Sequence, residues 1–103
     1  VHVCDLGEAH RLALEYLQRG GESSAFNLGT GNGHSVREVI QAVGRAGGRE
    51  APFQETGRRP GDPAELIADA RRASESLGWR PRLSGLDKIV ETAWNWHTKA
   101  KAP

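Results

Sequence analysis

Three times along this chain an apolar stripe at helical spacing runs into glycine. Leu6, Ala9, Ala13, Leu14 and Leu17 precede Gly20-Gly21; Val36, Val39, Ile40, Val43 and Ala46 precede Gly47-Gly48; Ala73 and Leu77 precede Gly78. Glycine enters the left-handed conformation that closes a helix at little cost, so the glycines set the helix ends while the stripes set their faces. Asp5 is expected to cap the first helix, about residues 5 to 19. Ser35 with Glu38 forms a capping box for the second. Asp69 is expected to cap the short third helix, and Trp79 to fold back on its last turn. Ser84 and Asp87 repeat the capping pattern before a fourth helix carrying Leu86, Ile89, Val90, Ala93, Trp94 and Trp96, with a fraying tail from Lys99.

The runs with strand character are short by comparison. Ala25–Leu28 reads as a buried strand, and Pro52–Glu55 and Leu66–Ala68 as extended segments around a polar loop, Gly57–Pro63. None can stand alone as a sheet, so these strands must pair with one another or with a sheet outside this chain. The expected fold class is α/β, helix-rich with a few short strands.

Composition excludes several functions. Lys plus Arg exceed Asp plus Glu by 14 − 13 = +1, so a strongly electrostatic nucleic-acid or membrane binder is not the default reading. Apolar runs of a few residues cannot span a bilayer. Cys4 is the single cysteine, so no internal disulfide forms, which fits a reducing compartment and a cytoplasmic location. There is no methionine, and Val1-His2-Val3-Cys4-Asp5 reads as a strand end running into a helix cap. The chain is therefore expected to begin mid-fold.

Two segments suggest ligand chemistry. Gly29-Thr30-Gly31 before a helix resembles a pyrophosphate loop, but His34 stands where the third glycine belongs, and Glu50 does not follow a strand. A tight turn ahead of a capped helix explains it better, and no cofactor site is expected there. Arg58-Arg59-Pro60-Gly61-Asp62 is the other. Two guanidiniums in a rigid loop suit a phosphate or pyrophosphate, Asp62 could accept from sugar hydroxyls, and Pro60-Gly61 would fix the turn. A solvated basic loop is the competing reading.

The remaining chemistry-bearing residues read as structural. His2, His10, His34 and His97 show no metal-ligand spacing, so no metal is expected. Cys4 reads as a small buried hydrophobe. Tyr16 has Gly20 four positions on, not lysine. Trp94 and Trp96 point about 200° apart on a helix and cannot form one stacking platform.

Val1–Leu6, Phe26–Gly31 with Gly33 and Ser35-Val36, Arg58–Asp62, Ala68-Asp69, and Leu77–Trp79 together resemble the C-terminal third of the UDP-glucose 4-epimerases, of the extended short-chain dehydrogenase family. The resemblance runs in order along essentially the whole chain, and Arg-Arg-x-Gly-Asp is its most specific piece. It implies a small C-terminal substrate-binding subdomain, residues 1–103, with the Rossmann domain absent from this chain. In that family NAD lies on the N-terminal Rossmann domain, the UDP-sugar binds beneath the smaller domain, and the sugar is oxidised at C4 and reduced from its other face. By resemblance, Arg59 would bind the UDP pyrophosphate and Asp62 the uridine ribose, with Arg58, His2 and the glycine loop supporting or structural. The family's Tyr-x-x-x-Lys base and dinucleotide fingerprint do not occur here. The chain alone is thus expected to be catalytically silent and to self-associate. A sibling nucleotide-sugar dehydratase or decarboxylase, or a non-catalytic nucleotide-binding module, would share these features. A glycine fingerprint and a Tyr-x-x-x-Lys upstream would identify an enzyme.

Overall fold

The computed structural model describes residues 1–101, with side-chain surroundings through Lys99. It contains four helices: α1, Val3–Gln18; α2, Val36–Gly47; α3, Arg71–Leu77; and α4, Leu86–Lys101. They belong to two compact units. The first comprises Val1–Asn32 and Ile67–Gly85, the second Gly33–Leu66 with the segment from Leu86 onward.

The glycine stops behave as the sequence requires. Gly20, Gly48 and Gly78 all have positive φ, at 88°, 70° and 68°. Beyond α1, the Gly21 amide donates to the Tyr16 carbonyl at 3.0 Å. A Cβ on Gly21 would sit 2.5 Å from the Tyr16 ring, so only glycine lets the chain turn this closely.

In the first unit α1 and α3 meet around Ala9, Ala73, Leu77 and Trp79, with Leu12, Ala13, Tyr16, Phe26, Leu28 and Ala70 packed against them. Tyr16 and Phe26 meet edge to face with ring centroids 5.8 Å apart, a favoured aromatic geometry. Trp79 does fold back over α3. Its amide reaches the Ala73 carbonyl at 3.3 Å, and its indole Nε1 donates to the Asp5 carbonyl at 2.8 Å.

Asp5 is the main departure in this unit. It does not cap α1; His2 does, accepting the Cys4 amide on Nδ1 at 3.0 Å, so the helix begins at Val3 with no preceding strand. The Asp5 carboxylate is buried inside the first turn and accepts from the Arg82 amide at 3.2 Å, the Leu83 amide at 2.8 Å and the Ser84 hydroxyl at 2.5 Å. Ser84 also accepts the His2 amide at 2.9 Å. The Ser84 hydroxyl expected to cap α4 is therefore spent on Asp5, while Asp87 takes Arg45 at 2.7 Å within the second unit. Cys4, with its neighbour Asp5 turned inward, points outward and is exposed.

Other expectations need correction. Among the described residues no strand forms, so the short strands of the α/β reading are absent. Phe26 and Leu28 still alternate inward as a strand face would, and Gly29 packs against Ala68, where a Cβ would lie 2.7 Å from the Ala68 Cβ. The two extended runs approach each other without a hydrogen-bonded ladder. Asp69 sits one residue before the α3 cap, Ala70, and accepts the Arg71 amide at 3.0 Å. Helix α4 runs through Lys101, and Ala102 and Pro103, the end of the tail expected to fray, lie outside the described residues.

The second unit packs α2 on α4, and Ala42 of α2 and Val90 of α4 are buried. The expected capping box is present at 3.0 Å and 3.2 Å between Ser35 and Glu38. The Trp94 ring lies 2.9–3.3 Å from where a Gly47 Cβ would stand, so glycine makes room for the indole.

Burial alone pushes the Asp5 carboxyl up. The Ser84 hydroxyl, the Leu83 and Arg82 amides and nearby His2 outweigh it and hold the group below the usual carboxylate range. A depressed folded-state pKa gives stability that is complete above the unfolded value, about 3.9, and is lost as pH falls through the folded value. Asp5→Asn should therefore cost about 1–3 kcal/mol at pH 7 and flatten the fall in stability below about pH 4, measured by urea unfolding across pH. An unchanged acid limb would contradict this role.

Candidate functional site

Arg58, Arg59 and Asp62 lie on the exposed loop of the second unit between Phe53 and Leu66. Pro60 presets φ for the second position of a turn, and Gly61 takes φ +85° at the third, the pattern of a type II turn. The turn closes through the Asp62 amide, which donates to the Arg59 carbonyl at 3.3 Å. The sequence reading of this loop as a Pro-Gly turn is met.

The turn brings two of the three candidate residues together. Arg59 Nε donates to Asp62 Oδ2 at 2.9 Å. The Arg59 side chain is 86% exposed and that of Asp62 44%, so the guanidinium is open to an incoming anion. Arg58 is also exposed, and no ion pair to it occurs among the described residues. Spacing alone could not distinguish this direct pairing from two side chains aimed at separate ligand groups.

The glycine loop does not suit a dinucleotide. In the first unit the Thr30 hydroxyl closes the loop on itself, donating to the Asn32 carbonyl and accepting its amide, each at 3.2 Å. In the second unit the Ser35 and Glu38 amides that could meet a phosphate are taken by the capping box. Glu38 adds negative charge there, its carboxyl held low by hydrogen bonding to the Ser35 amide and hydroxyl. His34, in place of a third glycine, lies 3.6 Å from Glu38. These residues do not fit NAD.

The other candidates resolve as structural parts. His2 caps α1, and His10 Nδ1 lies 2.7 Å from the Leu6 carbonyl oxygen. Among the described residues no three His, Cys, Asp or Glu side chains cluster as metal ligands would. Among the described residues no helix is long and apolar enough to cross a membrane. Trp94 is half-buried over Gly47 while Trp96 is 71% exposed, so they share no platform. A groove of about 760 Å³ in the second unit is lined by Arg37, Ile40, Gln41, Arg45, Arg49 and Phe53, with none of Arg58, Arg59 or Asp62 in its lining. The sequence reading did not anticipate it. Arg37 lies over the Phe53 ring there, 5.9 Å from its centroid, and pairs with Glu55.

No family model matches the chain. Curated relatives do. A UDP-glucose 4-epimerase of Lacticaseibacillus casei is 50% identical over 97 residues, 94% of this chain and 29% of the relative. The UDP-glucose 4-epimerase of Streptococcus mutans is 44% identical over 98 residues, 95% of this chain and 29% of that protein. Solved structures agree. One UDP-glucose 4-epimerase superimposes with a TM-score of 0.90 at 50% identity, over 96% of this chain and 30% of that one. The Bifidobacterium longum enzyme in complex with NAD+ and UDP gives 0.83 at 38% identity, over 96% and 29%. That of Stenotrophomonas maltophila with bound NAD and formylated UDP-arabinopyranose gives 0.89 at 42%, over 97% and 30%. The chain thus spans about 30% of the length of the relatives it matches. In sequence and in backbone it corresponds to the C-terminal part of the UDP-glucose 4-epimerases.

Proposed function

We propose that this chain is the UDP-sugar-binding portion, residues 1–103, of an NAD-dependent UDP-glucose 4-epimerase acting in cytoplasmic galactose metabolism. The observation that carries the reading is the Arg59–Asp62 turn, in a chain whose backbone matches an epimerase solved with UDP and NAD+. Arg59 binds the pyrophosphate of the UDP-sugar, because a permanently charged planar fork suits paired phosphate oxygens. Asp62 accepts hydrogen bonds from the uridine ribose hydroxyls, and Arg58 adds positive charge beside them.

NAD and the acid/base residue belong to a preceding Rossmann domain, since neither the glycine loop nor Tyr16, followed four positions on by Gly20, is built for those tasks. That domain would also cover α1, where Val3 is 73%, Leu14 57% and Leu17 55% exposed although all three are apolar. Exposed patches of this kind drive association. The 103-residue chain by itself should therefore self-associate in light scattering and show neither NAD binding nor turnover of UDP-galactose. A monodisperse monomer would contradict the uncovered-face argument, and turnover would contradict the division of labour.

In the full-length enzyme, Arg59→Ala should remove a charge-assisted phosphate contact worth about 2–3 kcal/mol, weakening UDP binding roughly 30- to 150-fold. Calorimetric titration with UDP reads the effect directly. Unchanged affinity would overturn the assignment of Arg59.

A further inference from the structure

We infer that Asp62 also orients Arg59 for the incoming diphosphate, so that one carboxylate serves both the ribose and the pyrophosphate. This rests on the proposed UDP-sugar site and adds a positioning role to it. A guanidinium offers two edges for paired hydrogen bonds: the side edge at Nε and the end edge between the two Nη atoms. Asp62 Oδ2 takes the side edge through Nε at 2.9 Å. No hydrogen bond from the Arg59 Nη atoms occurs among the described residues, so the end edge is the one presented to an anion. The other oxygen of Asp62 likewise meets no donor among those residues, which leaves it for a hydroxyl.

The pairing is built into the backbone. The Asp62 amide bonds back to the Arg59 carbonyl, and Gly61 at φ +85° holds the turn, so the two side chains leave the loop in fixed register. Arginine is long and loses rotamer freedom when a ligand immobilises it. A carboxylate that has already fixed the guanidinium plane lowers that loss and aims the fork. Against this stands repulsion between the carboxylate and the diphosphate. Both groups are solvated at this exposed loop, where charge effects are strongly screened, and the negative charge of Asp62 is already matched by Arg59. Orientation should win.

The two roles give opposite signs when the ligand has no ribose. If Asp62 served only the ribose, Asp62→Asn would leave inorganic pyrophosphate binding unchanged or tighten it, because a negative charge is lost. If Asp62 positions Arg59, the same variant should weaken pyrophosphate binding about threefold, the scale of an exposed ion pair. The test is calorimetric titration of inorganic pyrophosphate into full-length enzyme, wild type, Asp62→Asn, Arg59→Ala and the double variant. The positioning role requires a loss in Asp62→Asn that disappears in the Arg59→Ala background. A merely structural role would not show that dependence on Arg59. Unchanged or tighter binding by Asp62→Asn would overturn the inference, as would an equal loss in both backgrounds. Undiminished pyrophosphate binding by Arg59→Ala would instead strike the underlying site assignment.

Discussion

A buried carboxylate organises the first unit. Asp5 stands in the first turn of α1, where helix amides and the positive end of the helix dipole favour its charge. Its side chain gathers the Arg82 amide, the Leu83 amide and the Ser84 hydroxyl, and its carbonyl takes the Trp79 indole. Four donors from one six-residue stretch thereby converge on one residue some 74–79 positions away in sequence. Burying a carboxylate is unfavourable unless its oxygens are matched, and here they are matched with an acceptor-only group facing donors alone. An amide could not reproduce the set, since its nitrogen would face a backbone donor. Because Trp79 is pinned at the same place, the clasp fixes the indole over Ala9, Ala73 and Leu77. That packing closes the unit without a sheet.

The second unit relies on small residues more than on charge. Ala42 of α2 is buried, and Gly47 leaves a gap that the Trp94 ring fills. Its ion pairs, Arg45–Asp87 and Arg37–Glu55 among them, are exposed and worth little individually. The loop that carries Arg59 therefore owes its shape to Pro60 and Gly61, not to a surrounding polar network. Backbone restriction suits an exposed candidate site, because it persists when salt screens the side chains.

What was legible in the sequence was local. Glycine at a helix end, the Ser35–Glu38 box, the inward Ala73 and Leu77 and the Pro60-Gly61 turn each depend on residues a few positions apart, and each is present. Aspartate before an apolar repeat has the pattern of a cap, while the donors that claim Asp5 lie far along the chain. The same long-range demand removed Ser84 from its expected cap. The strand reading of Ala25–Leu28 was right about the inward alternation of Phe26 and Leu28. It failed on pairing, which no single run of residues encodes. At the candidate site, residue types point to phosphate and sugar chemistry, but the direct Arg59–Asp62 bond depends on how the turn aims the two side chains.

In the proposed site the Arg58–Asp62 turn meets the nucleotide. A crystal structure of the full-length protein with UDP decides it. Pyrophosphate oxygens should lie within hydrogen-bonding distance, about 3 Å, of the Arg59 Nη atoms, and a ribose hydroxyl at the same distance from Asp62. UDP bound elsewhere, with this turn still facing only solvent, would contradict it.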